Sequence, residues 1–215
     1  MPAAAGSGRA GARRTLENAL RRRGFARVAG VDEAGRGCLA GPVVAAAVVL
    51  HPGRAVAGLR DSKLLSPSRR ERLYDRIVRA GCWTVVAVEP RDIDRVNIHN
   101  AALDAMRRAV LALAPPPDFA IVDGFEVPDL SVPQQRVVGG DRRCAAIAAA
   151  SIVAKVTRDR QMLELHARDP RYGFDRHKGY ATRAHLAALG RHGYSSAHRR
   201  SFRPRALAGA TPTVA

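Results

Sequence analysis

Four acids stand where apolar segments run out. Asp32 and Glu33 follow the run 28–31, Asp123 follows Ile121 and Val122, and Asp141 follows Gly139 and Gly140 behind another short strand-like stretch. Sites of open α/β sheets lie just beyond the carboxyl ends of strands, so these ends can share one site. Carboxylates converging there repel one another and resist burial, and divalent cations would let them stay ionised. The donors are oxygens without clustered His or Cys, which favours Mg²⁺ or Mn²⁺ over zinc. Two such ions roughly 4 Å apart would hold the attacking water and the leaving oxygen of a phosphodiester. Taken singly the acids are ordinary: strand-end acids are usually turn residues, and Asp141 fits the cap of the following helix. Asp32 and Glu33, as strand neighbours, point to opposite faces unless the strand ends or bends there, which Gly30 and Gly35 permit.

The elements that must position these acids read as an α/β fold with a mixed sheet. Residues 1–14 have no apolar period and read as disordered. Thr15 fits the cap of a helix running to Arg23, with Gly24 stopping it. Strands are expected over 27–32 and 42–50, with a Gly-rich loop between them. Ser66 and Pro67 open a helix that Gly81 ends, and 83–88 returns to strand. A helix over 97–113 is closed by Pro115–Pro117, and strands follow at 119–123 and 135–138. From Asp141 a long Ala-rich helix runs to about Asp169, where Pro170 stops it; Thr182 caps a last helix that Gly193 ends. Trp83 reads as core. No repeat and no membrane span is expected.

The charge names a partner class. The formal net charge is +17, with seven Arg against one Glu in residues 1–27 and five Arg and no acid in 191–215. Such a chain suits a polyanion, although basic termini are often only solvated arms. Cys38, Cys82 and Cys144 are odd in number and set among apolar residues, which reads as reduced, buried thiols of a cytoplasmic protein. No signal-peptide pattern is present.

The run Gly30-Val31-Asp32-Glu33-Ala34-Gly35-Arg36-Gly37, followed by Leu39-Ala40-Gly41-Pro42, resembles the opening signature of the ribonuclease HII family. The likeness continues in order through Asp61-Ser62-Lys63, Asp94 with Asn97-Ile98, Val122-Asp123-Gly124, Gly140-Asp141, Ser151 to Asp159, His177-Lys178-Gly179-Tyr180 and His198-Arg199 with Ser201-Phe202. It implies a ribonuclease-H-like mixed β-sheet flanked by helices, with a helical C-terminal portion. The resemblance divides the chain into a partly disordered basic extension (1–26), a catalytic domain (27–203) and a flexible tail (204–215).

The same resemblance implies that Asp32, Glu33, Asp123 and Asp141 are the metal-binding, catalytic acids. The substrates implied are RNA/DNA hybrids and duplex DNA containing single ribonucleotides, cut on the 5′ side of the ribonucleotide to leave 3′-hydroxyl and 5′-phosphate ends. It makes Gly35, Arg36 and Gly37 a loop that senses the ribose 2′-hydroxyl, and glycine suits that task because backbone without a Cβ can approach a sugar closely. Tyr180 is implied to pack on the sugar of the adjacent deoxynucleotide, and Arg36, Lys63 and Lys178 suit phosphate contacts that position rather than specify. Nothing demands more than a monomer.

Other readings are weaker. Gly35-x-Gly37 with Gly41 misses the third glycine of a dinucleotide loop, and Pro42 begins a strand rather than a helix. Ser151 and Lys155 lie one helical turn apart but mid-helix, where packing and surface roles are commoner than a catalytic pair. Arg158 and Asp159 read as structural. His177, His185, His192 and His198 are scattered along the chain, and His198 with Arg199 and Arg200 would suit the duplex backbone. A non-catalytic basic RNA- or DNA-binding protein is the rival class, but a pure binder has no reason to gather four acids facing a polyanion. A two-metal nuclease of DNA junctions would share the acids but have no use for a ribose-sensing loop.

Overall fold

The computed structural model describes residues 12–54, 56–59 and 62–203. Asp61, the first part of the basic extension and the tail from 204 lie outside the described residues. Five strands, β1 (Val28–Ala34), β2 (Val43–Leu50), β3 (Gly81–Val88), β4 (Phe119–Asp123) and β5 (Gln134–Val137), form one mixed sheet in the order β3-β2-β1-β4-β5. The β3-β2-β1 ladder is antiparallel, and β4 and β5 add in parallel on the other side of β1. β2 is buried along its whole length, as its unbroken Val, Ala and Leu run requires.

Two layers of helix cover the sheet. On one face lie α1 (Thr15–Arg22), α2 (Pro67–Ala80) and α6 (Ala145–Arg168), packed on Val28, Val44, Ala46, Val48 and Ile121. On the other lie α3 (Pro90–Val96) and α4 (Ile98–Leu111), packed on Ala29, Val31, Ala45, Val49 and Val122. Alternate residues of β1 and β4 thus serve different layers, as strand geometry dictates. The centre of α6 is Ala-rich because it approaches the sheet at backbone range: a Cβ on Gly30 would stand 2.1 Å from the Ala146 carbonyl carbon.

The short α5 (Gly140–Arg143), α7 (Phe174–His177) and α8 (Arg183–His192) complete the chain. A third apolar cluster of Leu39, Ala40, Met162, Tyr172, Phe174 and Leu189 fastens this C-terminal portion to the loop after β1. Ser66 and Thr182 are N-caps as the sequence suggests, accepting from the Arg69 and His185 amides.

Several local expectations are corrected. β1 does not stop at Asp32 but stays paired with β2 through Ala34. Thr15 is the first residue of α1, with Arg14 at the cap position. The long helix is broken at Cys144, whose extended backbone separates α5 from α6, so Asp141 lies inside α5 rather than capping α6. The 97–113 segment is preceded by an unforeseen helix α3 that Pro90 opens, and Asn97, at φ 66°, joins the two. Trp83 is 39% exposed on the edge strand beside Tyr74, because β3 has no further strand to cover it. Cys82 is only half-buried, unlike Cys38 and Cys144. Among the described residues no helix is long and apolar enough to cross a membrane.

Candidate active site

Parallel pairing brings the first two acids together. Val31 pairs with Val122, so Asp32 and Asp123 follow at neighbouring positions as β4 ends. Both fall on the α6 face, because Val31 and Val122 belong to the opposite cluster. Glu33 follows on the other face, so the strand does carry neighbouring acids in opposite directions. Asp123 Oδ1 accepts from the Gly140 amide at 2.7 Å, which ties β4 to the turn bearing Asp141. Glycine at 140 lets the turn close on its neighbours: a Cβ there would meet Ile147 Cδ1 at 2.4 Å and Asp123 Oδ1 at 3.3 Å. Asp141 is buried in α5, with Arg142 Nε 3.9 Å from its Oδ1.

The electrostatics are those of crowded carboxylates. Burial pushes the Asp32 carboxyl well above its usual range, and the charges of Glu33 and Asp123 push it the same way. Its hydrogen bonds with the Ser151 hydroxyl and the Glu33 amide, the latter 2.7 Å long, oppose the shift. Glu33 is raised too, by burial first and by Asp123, against the opposing pull of Arg36. Among the described residues no three His, Cys, Asp or Glu side chains close into a ready-made metal cage. The charge balance nevertheless suits a divalent cation: hard oxygen donors repel one another in a largely buried place, and the Arg36 charge beside Glu33 opposes that only in part.

Beside these acids the 35–42 loop is held by two buried arginines. Arg158 donates to the carbonyls of Pro42, Ala40 and Lys178 at 2.9–3.0 Å. Arg199 donates to the Gly41 carbonyl through Nε and Nη2 and to that of Arg36 through Nη1. Burial lowers the Arg199 pKa to about 10, still charged at neutral pH. Leu39 N–H donates to Gly179, and a Cβ on Gly179 would lie 2.4 Å from the Ala40 carbonyl oxygen. This contact sets Tyr180 next to the loop, its hydroxyl bonded to Cys38, its ring 40% exposed and Lys155 Nζ 5.7 Å from the ring centre.

Arg36 joins loop to acids. Its guanidinium lies 4.4 Å over the Phe125 ring, with Nη1 3.5 Å from Glu33 Oε1 and Nη2 3.4 Å from His99 Nδ1. A Cβ on Gly37 would meet nothing within 4 Å, so internal packing does not explain glycine there. Lys63 is exposed in the 3-10 turn Ser62–Leu64, whereas Lys178 turns its ammonium to the Asp175 carbonyl.

The structure therefore gathers Asp32, Glu33, Asp123 and, through Gly140, Asp141, with Gly35, Arg36 and Gly37 alongside and Tyr180 across the loop. Ser151, read from sequence as a packing residue, bonds Asp32 and lies 3.0 Å from the Ser62 hydroxyl. Its helical position gave no signal of this, since its partners are distant in sequence. His99 and Phe125 were also missed, and no local motif marks them. His198 and Arg199, expected at the duplex backbone, are instead 2% and 0% exposed. His177, His185 and His198, scattered in sequence, are gathered: the first two rings stack at 4.4 Å, and His185 Nε2 lies 3.1 Å from His198 Nε2.

A five-stranded mixed sheet with these acids at its centre defines a nuclease of the ribonuclease-H-like class. Comparisons with known proteins narrow the class. The Ribonuclease HII family model matches residues 29–205, and the chain belongs to that family. It is 57% identical over 184 residues to ribonuclease HII of Xanthomonas axonopodis pv. citri, covering 84% of this chain and 75% of the relative. It is 54% identical to that of Nocardia farcinica, over 91% and 79% of the two chains. Among solved structures it resembles ribonuclease H2 of Pyrococcus horikoshii OT3, with TM-score 0.71 and 26% identity over 82% of this chain and 93% of that one. It also resembles the RNase HII of the PCNA:RNase HII complex from Archaeoglobus fulgidus, with TM-score 0.72 and 28% identity over 83% and 96%. The chain is accordingly a metal-dependent endoribonuclease acting on RNA/DNA hybrids.

Proposed function

We propose that this enzyme cuts the RNA strand of hybrids and also incises duplex DNA on the 5′ side of single embedded ribonucleotides, leaving 3′-hydroxyl and 5′-phosphate ends. The observation that carries the metal chemistry is the crowding of buried Asp32 with half-buried Glu33 and Asp123 at the paired ends of β1 and β4. These acids and Asp141 would hold two divalent ions, Mg²⁺ or Mn²⁺. When bound, the ions supply an activated water and stabilise the leaving oxygen. Ser151 orients Asp32 by hydrogen bond, and Gly140 orients Asp123.

Substrate choice would rest on the loop. Gly37 leaves room for a sugar to approach the backbone, and Arg36 is held by Phe125, His99 and Glu33 beside the acids. Tyr180 offers an aromatic face to the neighbouring deoxyribose, where an extra hydroxyl would be crowded. Lys63 and Lys178 would contact phosphate, Lys178 on leaving the Asp175 carbonyl. The working unit is taken as a monomer in the cytoplasm, with 27–203 as the catalytic domain.

The test is product mapping. An end-labelled DNA duplex with one ribonucleotide is incubated with Mg²⁺, with Mn²⁺ and with chelator, beside an all-DNA duplex and a long hybrid. Metal-dependent scission 5′ to the ribonucleotide supports the reading. Cleavage of the hybrid alone would remove the embedded-ribonucleotide activity.

A further inference from the structure

The segment before β1 lies outside the matched family region 29–205 and apart in sequence from the strand ends and turn that carry the four acids. It nevertheless reaches the junction on which two of them depend. Ala12 N–H donates to the Leu59 carbonyl at 2.8 Å, Arg13 N–H to Arg143 at 3.3 Å, and Ala145 N–H back to Arg13 at 3.0 Å. The Arg14 guanidinium donates to the carbonyls of His51, Pro52 and Arg54, and Leu20 is buried in the sheet's core. Together these contacts form a strap across the α5–α6 junction.

Within the strap, Glu17 is 2% exposed, and its Oε1 accepts from the Ala146 amide at 2.7 Å. That amide lies in the first turn of the 24-residue α6, whose cap residue Cys144 makes no side-chain cap bond. A residue 129 positions away thus satisfies one of the donors a helix start leaves open, with a carboxylate at the positive end of the helix dipole. Its other oxygen, Oε2, is buried with no hydrogen-bond partner among the described residues. Burial pushes the Glu17 carboxyl above its usual range, and the Ala146 amide with the charges of Arg21 and Arg14 opposes that shift.

Ala146 is where position matters. Its carbonyl carbon would lie 2.1 Å from a Gly30 Cβ, so α6 has no slack against β1 at this residue. At the very next residue, Ile147 closes on Gly140, the residue that bonds Asp123 and precedes Asp141; about one turn further on, Ser151 bonds Asp32. A slide of α6 along β1 would move all three supports at once. We propose that Glu17 is a positioning residue of the active site, holding α6 in register so that Ser151, Gly140 and α5 present Asp32, Asp123 and Asp141 together. The proposal rests on reading those acids as the metal-holding site.

The test compares steady-state cleavage of the one-ribonucleotide duplex by wild type, Glu17→Ala, Glu17→Gln and Asp32→Asn, all at a temperature where circular dichroism shows each folded. Misplacement of catalytic groups by a fraction of an ångström predicts a kcat about tenfold lower for Glu17→Ala, with KM within about twofold. The Mn²⁺ concentration for half-maximal rate should rise as well. Glu17→Gln, whose amide oxygen still accepts from Ala146, should recover kcat to within about twofold of wild type. If the alanine variant does not fold, Glu17→Asp, one methylene too short to reach, is read in the same way. A folded Glu17→Ala or Glu17→Asp with wild-type kcat and only a lower Tm overturns the proposal while Asp32→Asn stays inactive. Cleavage by Asp32→Asn at the wild-type rate would overturn the site reading beneath it.

Discussion

A Cβ on Gly35 would stand 2.0 Å from Arg158 Nε, so the first glycine of the 35–37 loop is explained from within the protein. Gly35 also sits at φ +95°, where an L side chain is strained. Because Arg158 is buried and holds Ala40, Pro42 and Lys178 together, it cannot move aside cheaply. Gly37 has no such internal reason, and that contrast separates a glycine the loop's packing requires from one it does not.

Gly35→Ala should therefore lower stability by about 2 kcal/mol or more, combining backbone strain with displacement of a buried guanidinium. Gly37→Ala should leave Tm nearly unchanged yet raise KM for the one-ribonucleotide duplex. Thermal unfolding and steady-state cleavage of the two variants distinguish them; equal loss of Tm in both would contradict the assignment.

Removing a buried charge should stabilise the protein without metal. Asp32→Asn eliminates a carboxylate raised by burial and by Glu33 and Asp123, so its Tm in chelator should exceed that of wild type. Mn²⁺ should raise the Tm of wild type by preferential binding to the folded state and raise that of Asp32→Asn much less. A Tm shift of equal size in both would show that Asp32 does not hold the ion.

The Arg36–Phe125 contact predicts a modest specificity effect. Phe125→Leu keeps the apolar volume but removes the π face 4.4 Å from the guanidinium. A loss of about 0.5–1 kcal/mol, a two- to fivefold rise in KM for the embedded ribonucleotide, is expected with kcat little changed. An unchanged KM would mean that Arg36 is placed by Glu33 and His99 alone.

The histidine cluster gives a pH dependence with a defined sign. Burial first and then the neighbouring His185 push the His198 pKa down from 6.5 to about 3. Ser195, Tyr172, Phe174 and Tyr194 surround the ring, the Ser195 backbone and the charge of Asp169 pull the pKa upward, and His177 pulls it further down. A depressed pKa means that folding favours the neutral ring. The stability this contributes is present above the unfolded pKa and is lost as pH falls from about 6.5 toward about 3. By pH 5 the loss from this one ring should reach about 2 kcal/mol. Denaturation followed from pH 7 to pH 5 tests it; His198→Asn should start less stable and show a flatter profile.

Much of this was legible in the sequence, for local reasons. The strands expected at 27–32 and 42–50 and found at 28–34 and 43–50, the Ser66 and Thr182 caps and the stops at Gly81 and Gly193 follow from patterns a few residues long. Apolar runs leading to Asp32 and Asp123 marked the two strand segments that parallel pairing sets side by side. What escaped depends on distant partners. The break at Cys144 accompanies the long-range bond between the Gly140 amide and Asp123, and Ser151 becomes a site neighbour only because α6 packs on β1. Arg199, exposed by any sequence-based expectation, is buried because backbone carbonyls of the 36–41 loop take up its donors. Glu17 belongs to the same group: its partner is an amide on another helix.

The most direct test of the account is cleavage of the one-ribonucleotide duplex by Asp123→Asn and wild type at equal Mn²⁺. Asp123 holds the Gly140 amide through one oxygen, which an asparagine carbonyl can replace, so the fold should survive while the charge proposed to hold metal is lost. The account predicts a rate at least about a thousandfold lower with unimpaired duplex binding. Cleavage 5′ to the ribonucleotide at near wild-type rate by this variant would contradict it.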